Sequence, residues 1–132
     1  FNTMAATPLQ ACVANAVLDV IEDENLQTQV AEVGLYLKNK LVTLVEQFEQ
    51  VGDVRGVGLF LAVDWVTDKT TRAPDRDGAK DIVERLKRAG YLISNAGAHR
   101  NVLKVRPPLV FSHAHADEFF AAFEAALSAS TN

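Results

Sequence analysis

Cysteine is almost missing from this sequence: Cys12 stands alone among 132 residues. A lone thiol makes no internal disulfide, which excludes a cross-linked secreted scaffold and favours a reducing compartment. Its apolar neighbours predict a buried core thiol rather than a catalytic one. Also missing is any stretch near the ~20 apolar residues that cross a bilayer, and Phe1-Asn2-Thr3-Met4 lacks the pattern of a signal peptide. A cytoplasmic chain with no membrane partner is the expectation. Runs of Lys or Arg are absent as well: 13 basic residues stand against 17 acidic ones, for a net charge of −4. Nothing in that balance holds a phosphate backbone, so nucleic acid is not an expected partner. The chain opens on Phe1 with Met4 as its only methionine, which suggests a piece of a longer protein.

What is present is 48% hydrophobic and 23% charged, a composition for one globular domain. Leu9, Cys12, Val13, Ala16, Val17, Val20 and Ile21 recur at helical spacing. Thr7 as N-cap, Pro8 at the first helical position and Gln10 in a capping box mark the start of a helix over Pro8 to Ile21. After an acidic corner at Asp23 to Asn25, Leu26, Val30, Val33, Leu37, Leu41, Leu44, Val45 and Phe48 predict a longer helix, stopped near Val51-Gly52.

From Val54 to Val66 both alternating faces are apolar, which predicts one central strand covered on both sides. A charged loop follows from Thr67 to Gly78, then a short helix with Ala79, Ile82, Val83 and Leu86 inward and Gly90 as its stop. Strands are expected at Tyr91 to Ser94 and Val102 to Arg106, the second closed by Pro107-Pro108. Alternation there puts Leu103 and Val105 on one face and Val102, Lys104 and Arg106 on the other. Ser112 caps a last helix with Phe119, Phe120, Phe123 and Leu127 on its apolar side. The expected fold is α+β: a small, mostly antiparallel sheet with helices on its faces.

The chemistry carried by these patterns is modest. His113 and His115 are two apart at a helix start and point in different directions, so no metal site is expected from them; His99 lies in a loop. Arg55-Gly56-Val57-Gly58 lacks the following helix and the third glycine of a dinucleotide fingerprint, which leaves a bulge or a close backbone contact. Lys104 and Arg106 share a strand face and either project together toward an anion or stand as two exposed charges on an edge strand. The hydroxyls at Thr3 and Thr7 precede a helix N-terminus, a position suited to an anion, although capping accounts for Thr7.

Four segments in order resemble the closing third of the class III aminotransferases, pyridoxal-phosphate enzymes of fold type I. They are Phe1-Asn2-Thr3-Met4-Ala5-Ala6-Thr7-Pro8-Leu9-Gln10-Ala11-Cys12, Ala16 to Leu26, Val54-Arg55-Gly56-Val57-Gly58-Leu59, and Asn101-Val102-Leu103-Lys104-Val105-Arg106-Pro107-Pro108-Leu109. The family includes ω-amino acid transaminases and phospho-lyases acting on amino-alcohol phosphates. The resemblance implies a small C-terminal domain in residues 23–132, with residues 1–22 as the linker and helix arriving from a large domain.

It further implies pyridoxal 5'-phosphate as cofactor, bound mainly by that large domain, with amine and carbonyl substrates and a homodimer. Thr3 matches the family threonine that donates to the cofactor phosphate of the neighbouring subunit. Lys104 stands where many relatives place an arginine for the substrate carboxylate, with Arg106 two residues on. A lysine there lacks the two-pronged fork of arginine, so Arg106 assists or the anion is held differently, for instance as a phosphate. Met4-Ala5-Ala6-Thr7 also departs from the family's glycine-containing turn. None of the six lysines, Lys38, Lys40, Lys69, Lys80, Lys87 and Lys104, falls where the family has its Schiff-base lysine, so no catalytic residue is expected here and the chain alone should not transaminate. Two other roles stay open: a freestanding domain that binds a small anion, and a dimerisation module using Thr3 to Ile21.

Overall fold

The computed structural model describes residues 7–129. Helix α1 (Pro8–Asp23) begins as its sequence dictates: the Thr7 side chain accepts from the Gln10 backbone N–H while the Gln10 side chain accepts from the Thr7 N–H. Asn25, in the left-handed conformation at φ 51°, turns the chain into α2 (Leu26–Gln47). The predicted stop at Val51-Gly52 is corrected to Phe48, which is already extended. Val51 and Gly52 instead open strand β1 (Val51–Val57), where the register slips between Val51 and Asp53.

The single long strand expected from Val54 to Val66 is a hairpin. β1 turns through Gly58-Leu59 into β2 (Phe60–Asp68), pairing antiparallel with it. Gly58 takes φ 53° at the first turn position, a conformation costly for any residue with a Cβ. The turn also rests on α2, where a Cβ built on Gly34 would lie 2.2 Å from the Gly58 carbonyl carbon. Close backbone contact therefore explains Gly58, while the bulge sits at Gly52.

Within the predicted loop, the two-residue strand β3 (Ala73–Pro74) pairs with β2, and Asp75 caps α3 (Arg76–Arg88) through the Gly78 N–H. Strand β4 (Ser94–Ala96) comes later than the expected Tyr91 to Ser94, and β5 (Val102–Val105) lies as expected. Ser112 caps α4 (His113–Ser128), with His115 completing the capping box. The sheet runs β1-β2-β5-β4 with all pairs antiparallel, an α+β fold.

Among the described residues, helices cover one face of this sheet and leave the other open. Val54, Leu61, Val63, Leu103 and Val105 point into a core closed by Leu37, Leu41 and Leu44 of α2, Ile82 and Leu86 of α3, and Phe119, Phe123 and Leu127 of α4. At ~25 cal/mol per Å² of apolar surface, burying each such side chain contributes about 1.5–3 kcal/mol before chain entropy is counted. α1 stands apart: it packs only on α2, and none of its residues is buried. The expectation of a buried Cys12 thiol is therefore corrected, because the apolar stripe that carries it meets no covering element among the described residues and Cys12 is exposed.

Candidate active-site face of the sheet

The uncovered face of the sheet follows from strand alternation and register. Residues of β1, β2, β5 and β4 that do not enter the core align in rows across the strands. One row is Arg55, Ala62, Lys104 and Ser94; the next is Asp53, Asp64, Val102 and Ala96. Phe60 and Val57 pair beyond them, 58% and 88% exposed. Lys104 lies on this open face, as the alternation predicts; Arg106 follows the end of β5 and reaches the face only where it meets the Phe60 ring.

Among the described residues neither Lys104 nor Arg106 has an acidic partner within ion-pair distance. The Arg106 guanidinium carbon lies 5.9 Å from the centre of the Phe60 ring, so a flat apolar surface supports its charge. Lys104 borders an open hollow of about 450 Å³ whose walls include Arg55, Val57, Phe60, Ala62 and Val102. Two uncompensated cations beside apolar walls suit a molecule with an anionic end. Thr3, the candidate cofactor-phosphate donor, lies outside the described residues.

The third cation of this face is committed. Arg55 grips both carboxylate oxygens of Asp64, at 2.5 and 2.8 Å, and one oxygen of Asp53 at 3.2 Å. Asp64, the stronger partner, and then Asp53 push the Arg55 guanidinium above its ordinary value, so it stays charged at any working pH. This pairing was out of reach of sequence reasoning, which ran β1 and β2 together. The signal was nevertheless there in Asp53-x-Arg55 and Ala62-x-Asp64, two period-two pairs on either side of Gly58.

The histidines hold structural posts. His115 belongs to the α4 capping box, and the His113 ring packs edge-on against Tyr36 at 4.8 Å. No group of His, Cys, Asp and Glu suited to a metal ion occurs among the described residues. Most lysines are engaged at the surface: Lys38 donates to the Gly56 carbonyl, Lys40 to Asp117, Lys69 to the Val45 carbonyl, and Lys87 stands by Glu84. No described hollow combines a lysine, a ring-stacking wall and a phosphate cradle, so these residues do not by themselves fit pyridoxal 5'-phosphate. A further apolar hollow of about 600 Å³ separates α1 from Pro108, Leu109 and Val110 and carries no ionisable group in its walls.

The sequence matches the family described as aminotransferase class-III over residues 1–127. The chain belongs to the class III aminotransferases. It is 41% identical over 130 residues to an alanine-glyoxylate aminotransferase 2-like protein of Drosophila melanogaster, covering 98% of this chain and 26% of that relative. A phospholyase from Arthrobacter, solved in complex with phosphoethanolamine, superposes with a TM-score of 0.90 at 37% identity, over 97% of this chain and 30% of that one. An amine transaminase from an uncultivated Pseudomonas species, in its PLP-bound form, gives 0.85 at 36% identity over 96% of this chain and 30% of its own. The chain therefore spans less than a third of the length of these class III relatives. No described helix is long and apolar enough to cross a membrane.

Proposed function

We propose that this chain is the small C-terminal domain of a pyridoxal-phosphate-dependent aminotransferase and that its task is to hold the anionic end of the substrate. The observation that carries this is Lys104 on the open sheet face, bordering a hollow and without an acidic partner among the described residues, with Arg106 two residues on beside Phe60. Residues 1–22 serve as the lead-in from a large domain and residues 23–132 as the small domain. The large domain supplies most of the cofactor site, and Thr3 donates to the cofactor phosphate across a homodimer interface. When bound, the cofactor supplies the electron sink for proton removal at the amine-bearing carbon. Lys104 and Arg106 fix the far end of the substrate, so that one carbon faces the chemistry. Amines and carbonyl compounds are the substrates, and the cytoplasm is the compartment that the single cysteine favours.

A second activity within the same fold is favoured by a specific observation. Two adjacent cations match a doubly charged phosphate monoester better than a single carboxylate, and one superposable relative is a phospholyase solved with phosphoethanolamine. An amino-alcohol phosphate is then the substrate, and elimination of phosphate the outcome.

The complete enzyme tests both. Lys104→Ala is expected to raise KM for the anionic substrate roughly tenfold, the loss of one charged contact, with cofactor absorbance retained. An unchanged KM would remove Lys104 from the site. Offering the same preparation an ω-amino acid with a keto acid, and separately phosphoethanolamine, distinguishes transfer from phosphate release. Thr3→Ala is expected to lose cofactor on dialysis faster than the parent, and equal retention would leave Thr3 a turn residue.

A further inference from the structure

Lys104 has no ion-pair partner among the described residues, and the carboxylate diagonal to it is bound to another cation. Asp64 lies on β2 and Lys104 on β5; Asp64 pairs with Val102, and Ala62 pairs with Lys104. Asp64 and Lys104 are thus diagonal neighbours on one sheet face, about 7–8 Å apart between backbones and within reach of a long side chain. Ala62, between Arg55 and Lys104 in the row, has no bulk to screen them. Left to itself, the half-buried Asp64, with 26% of its side chain exposed, would stand within reach of the Lys104 ammonium as a compensating charge. In the structure Asp64 turns the other way, with both oxygens taken by the Arg55 fork.

Asp53 adds to the same balance. It stands directly across from Asp64 in the β1–β2 ladder, where two like charges repel. Arg55 bridges them, so the two carboxylates of this corner share a single guanidinium. Lysine in that position would offer one point charge and could not hold both oxygens of Asp64 while also reaching Asp53.

We infer that Arg55 is a positioning residue for the anion subsite: by holding Asp64 in a two-pronged pair it keeps that carboxylate off Lys104 and leaves the ammonium available to substrate. This rests on the assignment of Lys104 to the substrate site made above. Its consequence is particular. Removing Arg55, whose fork faces Asp64 although it borders the same hollow, weakens binding of the anionic group, and removing Asp64 as well restores the binding, which a direct contact from Arg55 to the ligand would not allow.

The test uses the complete holoenzyme and steady-state kinetics with the anionic substrate, with inorganic phosphate as a competing probe. Arg55→Ala is expected to raise both KM and the phosphate inhibition constant roughly tenfold with kcat little changed, the effect of capturing one ammonium. The double variant Arg55→Ala with Asp64→Asn is expected to return both constants to within about twofold of the parent. A purely structural Arg55 predicts the opposite pattern: a lowered Tm, no selective change in KM, and no rescue by the second substitution. Where Arg55→Ala folds poorly, Arg55→Lys retains the charge without the fork, and its KM is expected to lie between parent and alanine variant; a KM equal to the parent's overturns the inference. Lys104→Ala run alongside separates the two levels. If it leaves KM unchanged, the substrate-site assignment fails; if it raises KM while Arg55→Ala does not, only the role of Arg55 fails.

Discussion

The two faces of one sheet are built from alternate residues of the same strands, yet they do different work. Inward, Leu61, Val63, Leu103 and Val105 are almost inaccessible and meet three helices. Outward, one residue away along each strand, stand Phe60, Ala62, Asp64, Val102 and Lys104, with none of the described helices over them. A charged residue on the inner face would need a partner in an apolar interior, whereas on the outer face water solvates it until a ligand arrives. Stability and recognition are thereby separated by a single step in the strand period.

That separation is broken most forcefully from the inner side. Phe123 of α4 is fully buried, so Phe123→Ala is expected to cost about 3–5 kcal/mol in urea unfolding. Lys104→Ala, on the outer face, should shift the same unfolding curve by no more than about 0.5 kcal/mol while changing ligand affinity. Similar losses for the two would mean that the outer face also carries the fold.

A smaller contrast lies between two helix caps of the same design. Ser112→Ala removes the cap of α4, which is packed in the core, and is expected to cost about 1 kcal/mol of global stability. Thr7→Ala removes an equivalent cap from α1, which has no buried residue. Its effect in the isolated chain should be loss of helical signal with an unchanged unfolding midpoint. A shared midpoint shift would show that α1 unfolds together with the core.

The smallest expected effect concerns the surface clip between α2 and α4. Lys40 and then Tyr36 hydrogen-bond to Asp117 and hold its carboxyl below the usual range, while Asp117 pushes the Lys40 ammonium upward. A depressed carboxyl stabilises the fold above its unfolded value of about 4 and loses that contribution as pH falls through the folded value. A raised lysine contributes below its unfolded value of about 10.4 and loses it as pH rises through the folded one. Asp117→Asn should therefore lower Tm slightly across the neutral range and converge with the parent at both pH extremes, which flattens the profile of Tm against pH. Both groups are solvent-exposed, which keeps the effect small.

The four helices are legible from apolar stripes at helical spacing, with capping residues marking the starts at Thr7 and Ser112; the start of α3 at Asp75 is not, because Arg76, Asp77 and Gly78 add nothing to the apolar stripe and read as part of the charged loop. Nor is the hairpin. Val57 and Phe60 to Val66 make an apolar run on both alternating faces, and a strand covered twice looks the same in sequence as two strands covered once. Only Gly58, with its positive φ, divides them. Cys12 was misjudged for a related reason: periodicity shows that a helix has an apolar face, and is silent on what covers it. Within the candidate site, Lys104 was readable because alternation along one strand sets its face by geometry alone, with Arg106 just past the strand end. Arg55 and Asp64 belong to different strands, so their meeting depended on a register that the undivided strand concealed.

The contact between Gly34 and Gly58 leaves a mark on how this sequence can change. A methyl group at Gly34 would fall 2.2 Å from the Gly58 carbonyl carbon, while Gly58 is held as glycine by its φ of 53° and by the Val30 side chain 2.9 Å from a Cβ there. Substitutions at the two sites are thus not independent trials, and a random library selected for folding should recover glycine at both or a displaced turn at neither cost alone. The pair acts as a fixed spacer that sets how closely α2 approaches the hairpin turn.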